Sequence, residues 1–114
     1  MASPPLGFTK INIDGAALDG SPSCTFVATR DCRGCLIAAS SKVLPSTFSA
    51  EVTEALALQD GVLLALELGI SHVIVESDAL SIIQAINEDV LGGELGHIVQ
   101  NIKDISSSFS RCSF

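Results

Sequence analysis

Along residues 8–14 (FTKINID), Ile11 and Ile13 alternate with Lys10, Asn12 and Asp14. A period of two predicts a half-buried strand. Gly15, directly after it, ends that strand or lets the backbone turn. Residues 23–29 (SCTFVAT) are β-rich, 30–34 (RDCRG) carry turn chemistry, and 35–43 (CLIAASSKV) are β-compatible again. That succession predicts a hairpin, so the first three strands are expected to form an antiparallel meander.

Pro45, Ser46 and Thr47 stop the β pattern, and Thr47 or Ser49 can cap a helix. From 49 to 68, Val52, Ala55, Leu56, Val62, Leu63 and Leu66 recur at three- and four-residue spacing. Ala57, Leu58, Ala65 and Leu68 fill much of the remaining circumference, which predicts a helix buried on more than one side. Gly69 is its natural C-cap. Gly61 inside this helix costs up to ~1 kcal/mol, which a close contact of the helix backbone would explain. Residues 71–76 (SHVIVE) form a β-branched run, and strand–helix–strand predicts a crossover with parallel pairing. A second helix follows over 79–86, with Asp78 at its N-terminal edge. Gly92 and Gly93 break the chain, and 94–109 reads as a third helix. Residues 111–114 look like the start of another strand. Residues 1–7 (MASPPLG) read as a leader or linker, leaving 8–114 as one domain.

Composition sharpens the picture. The chain has 114 residues, 47% hydrophobic and only 17% charged, against ~25% charged in an average soluble protein. Either the core is generous or some apolar surface needs a partner. Six basic residues stand against thirteen acidic ones, for a net charge of −7. Few groups can displace counterions from phosphates, so nucleic-acid binding is expected to be weak unless a divalent metal first neutralises carboxylates. No run of ~18 apolar residues predicts a membrane span, and no secretory signal opens the chain. An intracellular protein, cytoplasmic or nuclear, with reduced thiols is therefore expected. Cys32 and Cys35 have CxxC spacing, but structural zinc needs four ligands, and Cys24, Cys112, His72 and His97 show no second paired spacing. A redox pair usually opens a helix, whereas this one falls in a hairpin, so these read as loop and strand cysteines. His72 and His97 read as structural or exposed.

The carboxylates carry the candidate chemistry. Asp14 closes the first strand, Asp78 follows the fourth, and Glu51 lies in the first turn of the long helix. If the first and fourth strands are neighbours, Asp14 and Asp78 emerge side by side, and a helix packed on the sheet can bring Glu51 to them. Three hard oxygen donors of this kind suit Mg²⁺ or Mn²⁺. Each residue also has a plain structural use: Asp14 beside a turn glycine, Asp78 as an N-cap, Glu51 at the positive end of a helix. Spacing alone leaves both readings open.

Three separated blocks, 10–16 (KINIDGA), 50–69 (AEVTEALALQDGVLLALELG) and 73–86 (VIVESDALSIIQAI), decide between them. In order and spacing they resemble the plant ribonuclease H-like domains found with reverse-transcriptase-like sequences. The resemblance runs over residues 8–114. It implies an α/β ribonuclease H-like fold: a mixed sheet with antiparallel strands 1–3, parallel strand 4 and a partial strand 5, flanked by helices. It implies metal-dependent hydrolysis of the RNA strand of an RNA–DNA hybrid, with Asp14, Glu51 and Asp78 as three of four metal-binding carboxylates. Glu54 and Glu76 are expected to be peripheral. The family continues into a final helix with the fourth Asp, and this chain stops about where that segment begins. The resemblance therefore implies weak or lost nuclease activity with binding of one ion possible, and sheet surface that the missing helix would cover. An uncovered apolar face favours association, hence an expected homodimer. Three functions compete: a hybrid-cleaving hydrolase, a non-catalytic interaction or oligomerisation module on the same fold, and a fragment without an independent role.

Overall fold

The structure, a computed structural model, describes residues 6–16, 22–78, 80–88 and 93–114. Strand β1 (Thr9–Ala16) follows its own alternation, with Ile11 and Ile13 buried on one face. It does not stop at Asp14: Gly15 and Ala16 still pair with Thr25 and Cys24 of β2 (Cys24–Arg30). The expected turn at Gly15 is absent because the partner strand continues alongside it. β3 (Leu36–Val43) completes the antiparallel meander, with a register shift at Thr29/Arg30. β4 (His72–Glu76) pairs with β1 in parallel, from Thr9↔Val73 to Asn12↔Glu76. The short β5 (Arg111–Ser113) pairs in parallel with β4. The sheet order is β3-β2-β1-β4-β5, which meets the condition that the first and fourth strands be neighbours.

Helix α1 (Ala50–Glu67) is capped by Ser49, whose hydroxyl accepts from the Val52 amide at 3.2 Å, so Ser49 rather than Thr47 takes that role. Gly69 closes it in the left-handed conformation, φ 72°, while the Ile70 amide returns to the Ala65 carbonyl at 3.1 Å. Such a C-cap satisfies carbonyls that the last turn leaves open. The start of α1 is fixed from the sheet. The fully buried Ser23 accepts from the Phe48 amide through Oγ at 3.0 Å, and its carbonyl accepts from the Leu44 amide at 2.8 Å. Helices α2 (Leu80–Glu88) and α3 (Gly93–Ser106) pack with α1 on one face of the sheet, where Ile82, Ile86, Val99 and Ile102 join Ile11, Val27, Val73 and Val75 in a single core. The Gly93 part of the expected double-glycine break opens α3 with φ 74°; Gly92 lies outside the described residues, as does most of the predicted leader. None of the described helices is long and apolar enough to cross a membrane.

The other face of β2 and β3 carries no helix among the described residues. Phe26 is 46% exposed and Val43 68%. β3 is exposed along nearly its whole length. Part of the chain's apolar surplus is therefore on the outside, not in the core.

The predicted role of Gly61 holds. A Cβ there would stand 2.8 Å from Ile13 Cδ1 and 3.2 Å from Ile11 Cγ2, inside normal contact distance. The helix gives up propensity so that two β1 isoleucines can pack against its backbone. In a Gly61→Ala variant, a helix-propensity gain of up to ~1 kcal/mol opposes an overpacking penalty of ~1–3 kcal/mol. Net destabilisation of about 1 kcal/mol is expected in urea unfolding; a variant more stable than wild type would show that the contact is slack.

Candidate active site

The last parallel rung joins Asn12 to Glu76. Asp14 lies two residues beyond it on β1, and Asp78 lies two residues past the end of β4, so the parallel register brings both to the same end of the sheet. The first turns of α1 come against this end of β1 because Gly15 has no side chain. A Cβ at Gly15 would meet Thr53 Cγ2 at 3.1 Å, the Thr53 carbonyl oxygen at 3.2 Å and the Glu54 amide nitrogen at 3.3 Å. Those neighbours are largely backbone, which cannot swing aside. The result is a small cleft lined by Ile13, Asp14, Gly15, Glu54, Ser77 and Asp78.

Three carboxylates thus share one cleft, and among the described residues no basic side chain lines it. Glu54 registers the crowding. Burial pushes its carboxyl above the usual glutamate range, and the charges of Asp14, Asp78 and Glu51 raise it further, in that order. Desolvation and like charges both disfavour the ionised form. Asp14 is exposed, and its Oδ1 accepts from the Gly15 amide at 2.9 Å.

Of the residues picked out by the sequence, Asp14 and Asp78 meet as expected. Glu51 does not line the cleft: it is exposed in the first turn of α1 and acts on it only through its charge. Glu54, expected at the periphery, is the helix carboxylate that lines it. The signal was in the sequence. Gly61 marks the helix face laid on β1. At 100° per residue, Glu54, seven positions earlier, falls about 20° from that face, whereas Glu51 falls about 80° away. Among the described residues, no three His, Cys, Asp or Glu side chains are grouped closely enough, as they stand, to hold one ion. In kind, however, the donors fit a hard divalent cation: all are carboxylates, and two sit at strand ends with room to turn.

Other candidates fall away. The four cysteines are free, and burial raises the Cys112 thiol above its ordinary range. In the hairpin loop, Asp31 Oδ1 accepts from the Arg33 and Cys35 amides at 2.9 and 3.0 Å, a turn-stabilising pattern. His72 packs edge-on to Phe8 with ring centroids 5.3 Å apart. A shallow depression of about 540 Å³ on the open sheet face is bordered by Asn12, Asp14, Phe26 and Ser41; it touches the acidic cleft at Asp14.

A family model described as reverse transcriptase-like matches residues 12–114. Comparison with curated proteins finds no match. Among solved structures, the chain is similar to RNase H1 from the halophilic archaeon Halobacterium salinarum NRC-1, with a TM-score of 0.85 at 14% identity over 93% of this chain and 82% of that one. It is also similar to the N-terminal RNase H domain of rv2228c from Mycobacterium tuberculosis, with a TM-score of 0.78 at 20% identity over 94% and 79% of the two chains. LC11-RNase H1 in complex with RNA/DNA hybrid matches with a TM-score of 0.76 at 20% identity over 93% and 82%. At such identities the likeness is one of fold, and it bears out the expected ribonuclease H-like architecture.

The raised Glu54 carboxyl gives a pH-dependent prediction. The folded chain favours the protonated form, so the penalty is absent below the ordinary glutamate value of about 4.3. It grows as pH rises from there through the higher folded value. In chelator-treated protein, Glu54→Gln is expected to raise Tm at neutral pH and to leave it nearly unchanged at about pH 3.5, below that ordinary value. Calorimetric melts at the two pH values test this; a fall in Tm at neutral pH would contradict it.

Proposed function

The chain belongs to the reverse transcriptase-like family, and on that premise we propose that it is a ribonuclease H-type domain acting on the RNA strand of an RNA–DNA hybrid through a divalent metal. The supporting observation is the cleft in which Asp14, Glu54 and Asp78 come together, on a fold shared with a neighbour solved in complex with RNA/DNA hybrid. Glu54 takes the place that the sequence pattern assigned to Glu51, with Glu51 as an outer charge.

Asp14, Glu54 and Asp78 would hold Mg²⁺ or Mn²⁺, which supplies polarisation of the scissile phosphate and a bound water of lowered pKa. The chain's own residues do the rest. Asp14 on β1 and Asp78 just past the end of the adjacent β4 provide two donors brought to one end of the sheet by the β1–β4 pairing. Glu54 provides the third from the helix, and its half-buried setting limits competing water. With a net charge of −7, approach of a phosphate backbone depends on cation uptake by this cleft, so substrate binding and metal binding are coupled. The four free thiols support a reducing, intracellular setting.

A second reading, a non-catalytic module that associates through its open sheet face, is favoured by the exposure of Phe26, Ile37 and Val43. In its oligomerisation form it predicts a homodimer, and sedimentation at high concentration showing only monomer would remove that form.

Cleavage of a hybrid labelled on the RNA strand, in Mn²⁺, tests the first reading. Asp14→Asn and Glu54→Gln are expected to abolish cleavage. Glu51→Gln is expected to change the rate by no more than about five-fold, since an exposed charge contributes under ~1 kcal/mol. Loss of cleavage in Glu51→Gln with retention in Glu54→Gln would return the helix ligand to Glu51. No metal-dependent cleavage by wild type would favour the second reading.

A further inference from the structure

On the sheet face away from the helices, Lys10, Asn12 and Asp14 follow one another along β1, with Ile74 and Glu76 beside them on β4 and Asp78 two residues past its end. Glu76 uses both carboxylate oxygens across this boundary. Lys10 Nζ lies 3.0 Å from Oε1, and Asn12 Nδ2 donates to Oε2 at 3.2 Å. The Lys10 side chain is only 6% exposed, against 47% for Glu76. A nearly buried ammonium needs its counter-charge, so this is a structural pair and not a loose surface contact. It sits at a decisive place. Asn12↔Glu76 is the last of four parallel rungs, and no hairpin turn joins β1 to β4, since β2, β3 and α1 intervene. The two carboxylates of the cleft begin two residues further on.

We propose that Lys10 and Glu76 are positioning residues for the carboxylate cleft: with Asn12 they form a cross-strand clip that fixes the register in which Asp14 and Asp78 emerge, so that both can serve one cation. The proposal rests on the reading of the cleft as a metal site. It also explains why Glu76, an acidic neighbour of Asp78 two positions away, is not a donor there: both its oxygens are engaged on β1. Second-layer partners of this kind orient ligands without touching the metal.

The test uses Lys10→Met, Glu76→Gln and the double variant, each held at a temperature where it is fully folded. Three quantities are read: Mn²⁺ affinity by calorimetry, Tm, and amide hydrogen exchange at residues 75–77. A merely structural pair predicts that the double variant, with no unpaired charge left behind, recovers both Tm and Mn²⁺ affinity. The clip predicts that Tm recovers while Mn²⁺ affinity stays weakened roughly 10-fold or more, with faster exchange at 75–77. Wild-type affinity in the folded double variant overturns the proposal. If wild type itself binds no Mn²⁺, the reading of the cleft fails, and exchange alone decides the clip: faster exchange at 75–77 in the double variant upholds it, and unchanged exchange overturns it.

Discussion

The backbone of α1 lies directly on β1, and the rest of the site depends on that approach. Two glycines permit it, one on each element. Gly61 gives the helix a bare surface against Ile11 and Ile13, and Gly15 gives the strand end a bare Cα against Thr53 and Glu54. A side chain at either would force apart groups already at contact distance, in a core where interdigitated packing leaves little slack. The first contact fixes the tilt and depth of the helix. The second delivers its acidic first turns to the end of the strand. Ser23, clasping the Phe48 backbone, sets where along the sheet that helix begins.

The electrostatics of the cleft follow from the packing. Carboxylates from β1, the segment after β4 and α1 line one cleft where, among the described residues, no basic side chain balances them, and the raised Glu54 carboxyl records the crowding. Two charged side chains nearby have local partners. Lys10 is paired with Glu76, and Asp60 accepts from the fully buried Thr25 hydroxyl at 2.9 Å. Several carboxylates thus gather at one end of the sheet, where a divalent cation would relieve repulsion and gain donors at once. A net negative chain that binds nucleic acid through such a cation is physically coherent, because the attraction to phosphate comes from the ion and not from a basic surface.

Much of this was legible in the residues. Alternation at Ile11 and Ile13, the Ser49 cap, the Gly69 stop and the β-branched 72–76 run each carry a local signal that the fold respects. The mixed sheet was legible through the family resemblance and the parallel placement of β4 through the crossover at α1, whereas the pairing of β4 with β1 carried no local signal. Not legible was which of two glutamates one turn apart lines the cleft. Glu51 and Glu54 differ by about 60° around the helix, and hydrophobic spacing cannot resolve the face of a helix that is apolar nearly all round. The packing contact at Gly61 resolves it. β1 also runs on past Asp14, because cross-strand pairing with Thr25 and Cys24 overrides the turn tendency of an Asp-Gly pair. The roles of Lys10 and Asn12 were hidden because they depend on a partner 66 and 64 positions away along the chain.

The central claim is that Asp14, Glu54 and Asp78 converge on one divalent cation. Paramagnetic broadening by sub-stoichiometric Mn²⁺ in amide NMR spectra of the wild-type chain tests it most directly, since broadening maps the ion's position without requiring turnover. Signal loss is expected to be strongest at residues 14, 15, 54, 77 and 78 and to fall off with distance from them, with Glu51 less affected than Glu54. Broadening centred on Glu51, spread evenly over the acidic surface, or absent at the end of β1 would contradict it.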